Sequence, residues 1–127
     1  ISIPIMVTGG FRTKDAMESS IKSNACQMIG VGRPLCADPQ SIRKLLSGQI
    51  KELSTYEKSL SLGPWIFSPS SPFRLIQAIN GFGTQAWCYQ QIKRMARNEN
   101  PDLNMSMFSA LKNDIRDDLA SFKALKS

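Results

Sequence analysis

The sequence predicts an α/β fold in which two parallel strands are followed by a mainly helical second half. Three observations carry that prediction. Apolar runs over residues 1–7 and 25–31 flank a segment with helical character, which is the β–α–β pattern and implies parallel pairing through a right-handed crossover. The first run, with Ile1, Ile3, Ile5, Met6 and Val7, is nearly continuous rather than alternating, as in strands covered on both faces. From residue 72 onward apolar side chains recur at helical rather than strand spacing.

Each element has a local reason. Pro4 is tolerated because it lies near the start of the first strand, and Gly9-Gly10 ends that strand. Thr13 is a helix cap, with Asp15 in the first turn where the helix dipole favours negative charge. The helix over 14–24 places Ala16, Met17 and Ile21 on one face and stops at Asn24. Gly32-Arg33-Pro34 ends the second strand, and Asp38-Pro39 predicts the next helix start, with Asp38 as cap and Ile42, Leu45 and Leu46 on its apolar side. Gly48 closes that helix.

Between Ser54 and Ser71 lie six serines, two prolines and Gly63, predicting an irregular connection pinned by Trp65 and Phe67. A short helix over 72–80, a break at Gly81-Phe82-Gly83 and a helix from Thr84 to about Arg97 follow. The last helix, over 106–123, carries Phe108, Leu111, Ile115, Leu119 and Phe122 as one stripe, read as a core face.

Composition excludes several functions. The chain has 127 residues and no histidine, which removes imidazole bases, Ser-His and Cys-His nucleophiles and most transition-metal sites. Its three cysteines form no CxxC pair, so neither a disulfide framework nor a zinc knuckle is supported, and reduced thiols in a cytoplasmic protein are expected. The net charge of +6 is spread along the chain without a basic run or interleaved aromatics, so no nucleic-acid partner is expected. No apolar run reaches a membrane span. A start at Ile1, inside an apolar run, fits a piece of something larger, because two strands alone leave apolar faces and edges uncovered.

The chemistry concentrates in two loops. Gly9-Gly10 and Gly32-Arg33 follow the two strands, and glycine lets a backbone approach an anion closely. Arg33 adds a permanent charge with a planar donor fork. In β/α barrels the loops after the last two strands commonly hold phosphate. The plainer alternative has the glycines merely turning the chain and Arg33 pairing with a surface carboxylate. Arg12 reads as a solvated side chain, Cys36 as a spectator thiol, Trp87 as a packing anchor, and Asp114, Asp117 and Asp118 as a solvated face. No catalytic side chain is assigned, and no metal site.

Over Pro4-Ile5-Met6-Val7-Thr8-Gly9-Gly10-Phe11-Arg12 and over residues 29–39, which run from Ile29-Gly30-Val31-Gly32-Arg33 to Asp38-Pro39, the chain resembles the NADH:flavin oxidoreductases of the old yellow enzyme family. Ala86-Trp87-Cys88-Tyr89-Gln90-Gln91, Arg94-Met95 and Pro101-Asp102-Leu103 are similar to a C-terminal helical extension in one branch of that family. The resemblance implies the C-terminal portion of a (β/α)8 TIM barrel, namely its last two β/α units at 1–50, an irregular connection at 51–71 and a helical extension at 72–127. It further implies FMN as cofactor, with Gly9, Gly10, Gly32 and Arg33 on its phosphate, and NADH or NADPH as reductant of the full-length enzyme. The small-molecule substrate would be an oxidised acceptor such as an activated alkene.

In the family, the His-Asn or His-His pair for the acceptor and the tyrosine proton donor come from earlier strands, and this chain has no counterpart. The expected partners are the missing barrel portion or further copies, with no membrane. Two alternatives stay open: a phosphate-binding β/α barrel without flavin, and a non-enzymatic helical interaction module.

Overall fold

In the computed structural model, which describes residues 3–61 and 63–125, the chain is mixed α/β with two parallel strands and mostly helices. It divides into two compact units, residues 1–55 and 56–127. Ile1, from the first apolar run, lies outside the described residues.

The first unit holds β1 (Met6–Thr8), α1 (Lys14–Lys22), β2 (Met28–Gly30), α2 (Arg33–Ala37) and α3 (Ser41–Leu46). The strands pair in parallel with Met6 opposite Met28, Val7 opposite Ile29 and Thr8 opposite Gly30. The last pair is close because position 30 is glycine: a Cβ there would run into the Cγ2 of Thr8. Thr13 caps α1 as its sequence predicts, its Oγ1 accepting from the Ala16 amide, and Asn24 follows α1 in the left-handed region at φ 58°. After α3 the chain returns to the loop beyond β1. The Leu53 amide donates to the Arg12 carbonyl at 2.7 Å, and Thr13 bridges Glu52.

Three expectations change here. The strands are three residues each rather than seven, and Ile3, Ile5, Met6, Val7 and Met28 are exposed instead of covered on both faces. The reason is that α1 buries none of its own residues, so no layer covers the pair. A helix also begins immediately after Gly32, one the sequence reading lacked. Asp38 does not cap the following helix; its Oδ1 accepts from the Gln40 amide in a turn, and α3 starts three residues later, at Ser41.

The second unit is built on α4 (Arg74–Ala96) and α5 (Met107–Ala124), which pack together. Short 3-10 turns occupy Tyr56–Lys58 and Trp65–Phe67. The expected break at Gly81-Phe82-Gly83 does not occur, and α4 runs unbroken for 23 residues. Interior glycine costs a helix about 1 kcal/mol relative to alanine. At Gly83 that cost is offset by packing, because a Cβ would collide with the Sδ and Cγ of Met107.

Trp87 is fully buried, stacks on Tyr56 with ring centroids 5.0 Å apart, and donates from Nε1 to the Met105 carbonyl. Gln91, also buried, holds the turn between the helices. Its Oε1 accepts from the Asp102 amide at 2.7 Å, and its Nε2 donates to the Asp102 carbonyl at 3.2 Å. The rings of Trp65 and Phe67 stay exposed, at 86% and 55%, and the connection is held instead through the Phe67 carbonyl, which accepts from Nδ2 of the buried Asn80 at 3.0 Å.

The stripe on α5 is not a core face either. Phe108 is 71% exposed, and Ile115, Leu119 and Phe122 are exposed too. The residues α5 turns toward α4 are the buried Met107 and Ala110 and the carboxylates Asp114 and Asp117, which meet Lys93 of α4 at 3.4 and 2.9 Å. Close approach at Gly83 and this ion pair fix the rotation of α5, so the Asp114 and Asp117 carboxylates are paired rather than simply solvated. Among the described residues no helix is long and apolar enough to cross a membrane.

Candidate functional site

Parallel pairing with Thr8 opposite Gly30 sends both following loops off the same end of the sheet. A cleft of about 330 Å³ opens between them, lined by residues 8–12 and 30–34. All four residues singled out from sequence, Gly9, Gly10, Gly32 and Arg33, line it.

Gly9 (φ 96°) and Gly10 (φ 78°) are in the left-handed region that disfavours any residue with a Cβ, which explains two successive glycines at the end of β1. No heavy atom beyond the chain neighbours comes within 4 Å of where a Cβ would sit at Gly9, Gly10 or Gly32, so these positions are open. Arg33 is the first residue of α2, its side chain is exposed, and Pro34 after it brings no amide donor. The Leu35 amide is spent on the Gly32 carbonyl at 2.9 Å. The α2 side of the cleft therefore works mainly through the guanidinium of Arg33.

Arg12 is the residue that sequence reasoning underrated. It lines the same cleft, is half-buried rather than solvated, and donates from Nη1 to the Phe11 carbonyl at 3.0 Å. Its position directly after Gly9-Gly10-Phe11 was the available signal. The cleft lining contains two arginines and no carboxylate, so its electrostatics favour an anion. Thr8 and Gly30 also line it without having been singled out.

The neighbouring features stay outside. Asp38, expected to cap the next helix, pairs instead with Lys44 at 2.6 Å, and that hydrogen bond is the main reason its carboxyl lies below the usual carboxylate range. Cys36 is buried and does not line the cleft. Among the described residues no group of three or more His, Cys, Asp or Glu side chains is placed to hold a metal ion. The cleft contains no proton-transfer group or nucleophile of ordinary strength, so by itself it can hold an anion and orient what is attached to it.

No protein-family model matches the chain, and no solved structure matches it. Short stretches are similar to three characterised proteins. One is the NADH-dependent flavin oxidoreductase iliE of Hypocrea jecorina, 38% identical over 37 residues, which is 29% of this chain and 9% of the relative. Another is the NADH-dependent flavin oxidoreductase iccE of Talaromyces variabilis, 45% identical over 38 residues, or 30% of this chain and 9% of the relative. The third is a bilirubin reductase of Mediterraneibacter gnavus, 37% identical over 49 residues, or 39% of this chain and 8% of the relative. The matched stretches thus span less than a tenth of these relatives, and what the chain has in common with NADH-dependent flavin oxidoreductases is a partial similarity of that extent.

Proposed function

We propose that this chain supplies the phosphate end of an FMN site in an NADH- or NADPH-dependent flavin oxidoreductase of the old yellow enzyme type. The observation that carries the reading is the cleft in which Gly9, Gly10, Gly32 and Arg33 meet at one end of two parallel strands. Partial similarity to flavin oxidoreductases supports the flavin class. The parallel strands, with apolar faces left exposed, support a place as the last two strands of a larger (β/α)8 barrel, whose other strands would cover those faces.

The residues fit a phosphate monoester. The glycine positions are open and two guanidinium groups line the cleft, so a dianion would be met by charge and by the backbone together. When bound, a flavin supplies hydride transfer between a nicotinamide and an oxidised acceptor. In that process Arg33 anchors and orients, Gly9 and Gly10 permit close approach, and no residue of the cleft moves a proton. The acceptor site belongs to other strands of the barrel.

Three titrations test this. Backbone amide shifts of the 127-residue chain are followed by NMR against inorganic phosphate, FMN and riboflavin. Phosphate and FMN should shift the amides of Gly9, Gly10, Gly32 and Arg33 and compete with one another, while riboflavin, which lacks the phosphate, should not. Arg33→Ala should abolish the shifts, and Arg33→Lys should weaken them by about tenfold, since the charge remains but the planar fork is lost. Shifts confined to other residues would refute the assignment. Without the acceptor residues the chain alone should neither bind FMN tightly nor oxidise NADPH; stoichiometric binding with turnover would contradict that.

A further inference from the structure

Of the two walls of the cleft, the one after β1 is suspended. Between Thr8, the last residue of β1, and Thr13, the cap of α1, lie only Gly9, Gly10, Phe11 and Arg12. The two glycines are in the left-handed region, and neither has a heavy atom within 4 Å of its Cβ position. Glycine has the widest backbone freedom, so such a segment does not hold one shape by itself. The other wall runs straight into α2, whose Pro34 and Cys36 are buried.

The hold on the first wall comes from a segment outside the cleft. Past α3, Gly48 adopts φ 78° and the Lys44 carbonyl accepts from the Gln49 amide at 2.9 Å, which turns the chain back. Glu52 then bridges Thr13 in antiparallel fashion, and the Leu53 amide donates to the Arg12 carbonyl at 2.7 Å. Leu53 is 1% exposed and does not line the cleft, so that amide is seated by a buried side chain. A short hydrogen bond to the Arg12 carbonyl fixes the plane of the peptide joining Arg12 to Thr13. The wall is thereby held at both ends, by the strand pairing of Thr8 and by Leu53.

We propose that Leu53 is a positioning residue of the cleft, holding the wall from Gly9 to Arg12 in place for an anion that Leu53 does not touch. The chain leaves the second wall through α2 and α3 and returns to brace the first, so both walls share one frame. A braced wall meets its ligand already ordered, whereas a loose one must be ordered at the expense of affinity. The brace stands on backbone geometry alone, and only its effect on a ligand rests on the phosphate reading proposed above.

Leu53→Pro tests this in the whole chain, because proline removes the amide donor, keeps an apolar side chain and suits the extended Glu52 before it. Nitrogen-15 relaxation without ligand should show order parameters at Gly9 and Gly10 falling from about 0.85 to below about 0.6, with Gly32 unchanged. Inorganic phosphate should bind about tenfold more weakly, and the shifts of Gly9 and Gly10 should be lost while those of Gly32 and Arg33 persist at higher phosphate. Leu53→Ile should behave as the unaltered chain. Leu53→Ala, which keeps the amide and loses the packing, should fall between them, and it decides the matter if circular dichroism shows the proline variant unfolded. Unchanged order at Gly9 and Gly10 in the folded variants, or equal loosening of both walls, would overturn the proposal. Loosening of the first wall alone, with no phosphate response even in the unaltered chain, would support the brace and refute the phosphate reading.

Discussion

Glycine does three different jobs in this chain, and a single alanine tells them apart. At Gly9 and Gly10 the backbone is left-handed, so alanine should cost about 1–2 kcal/mol at either site through backbone strain alone. At Gly83 the backbone is helical and the conflict is steric. Gly83→Ala should destabilise by about 1–3 kcal/mol, because Met107 must move. At Gly81, in the same helix, a Cβ meets nothing within 4 Å, so Gly81→Ala should stabilise by up to about 1 kcal/mol. Denaturant midpoints of the variants check all three, and a stabilising Gly83→Ala would refute the account of why α4 stays continuous. The sequence alone could not separate Gly81 from Gly83. Both look like helix breakers until the neighbour opposite each is known.

At the level of elements, α4 and α5 are held by a small apolar contact and a charged clamp. The clamp gives the second unit a pH signature. The Asp117 carboxyl is held below its ordinary value of 3.8, first by the hydrogen bond from Lys93 and then by that from Gln90. Its contribution is therefore complete above 3.8 and is lost as pH falls through the lower native value. The Lys93 ammonium is raised above 10.5, chiefly by its hydrogen bond to Asp117, so its contribution is present below 10.5 and fades as pH climbs through the higher native value. Both side chains are about one-third exposed, which limits the pair to about 0.2–1 kcal/mol. Asp117→Asn should lower stability at neutral pH by that amount, and the gap to the unaltered chain should close as pH falls to about 2. A gap that persists in acid would mean that packing, and not charge, is lost.

Gln91 is the other fastener between these helices. Its amide replaces a backbone partner for Asp102 on both the donor and the acceptor side, inside a buried site. Gln91→Leu should cost about 2–4 kcal/mol, since two buried backbone groups lose their partner. Hydrogen exchange would report it as faster exchange at the Asp102 amide. Unchanged exchange there would show that water or another group takes over the role.

For the molecule as a whole, the two-stranded sheet and the apolar faces of α4 and α5 leave large side chains in water: Met6, Val7 and Met28 on the strands, Phe82 and Phe108 on the helices. Contiguous exposed apolar surface marks an interaction site or an aggregation liability. The proposed place in a barrel would give the strand part of that surface a purpose, and it concerns the first unit alone.

The sequence by itself determined the elements whose cause is local. Thr13 and Ser106 cap α1 and α5 because a side-chain oxygen reaches the amide three residues ahead. The β–α–β order sets parallel pairing because a crossover helix leaves no other route. The four loop residues were legible for the same reason: glycine conformation and arginine charge are properties of the residues themselves. Only the tertiary structure decided what depends on distant neighbours. It joined α4 across two glycines because Met107 fills the space, and it turned the stripe of α5 outward because Lys93 grips Asp114 and Asp117. It also brought Arg12 onto the wall of the cleft. Periodicity records which residues share a helix face, but not which face a partner will cover, because that choice rests on contacts between residues far apart in the chain.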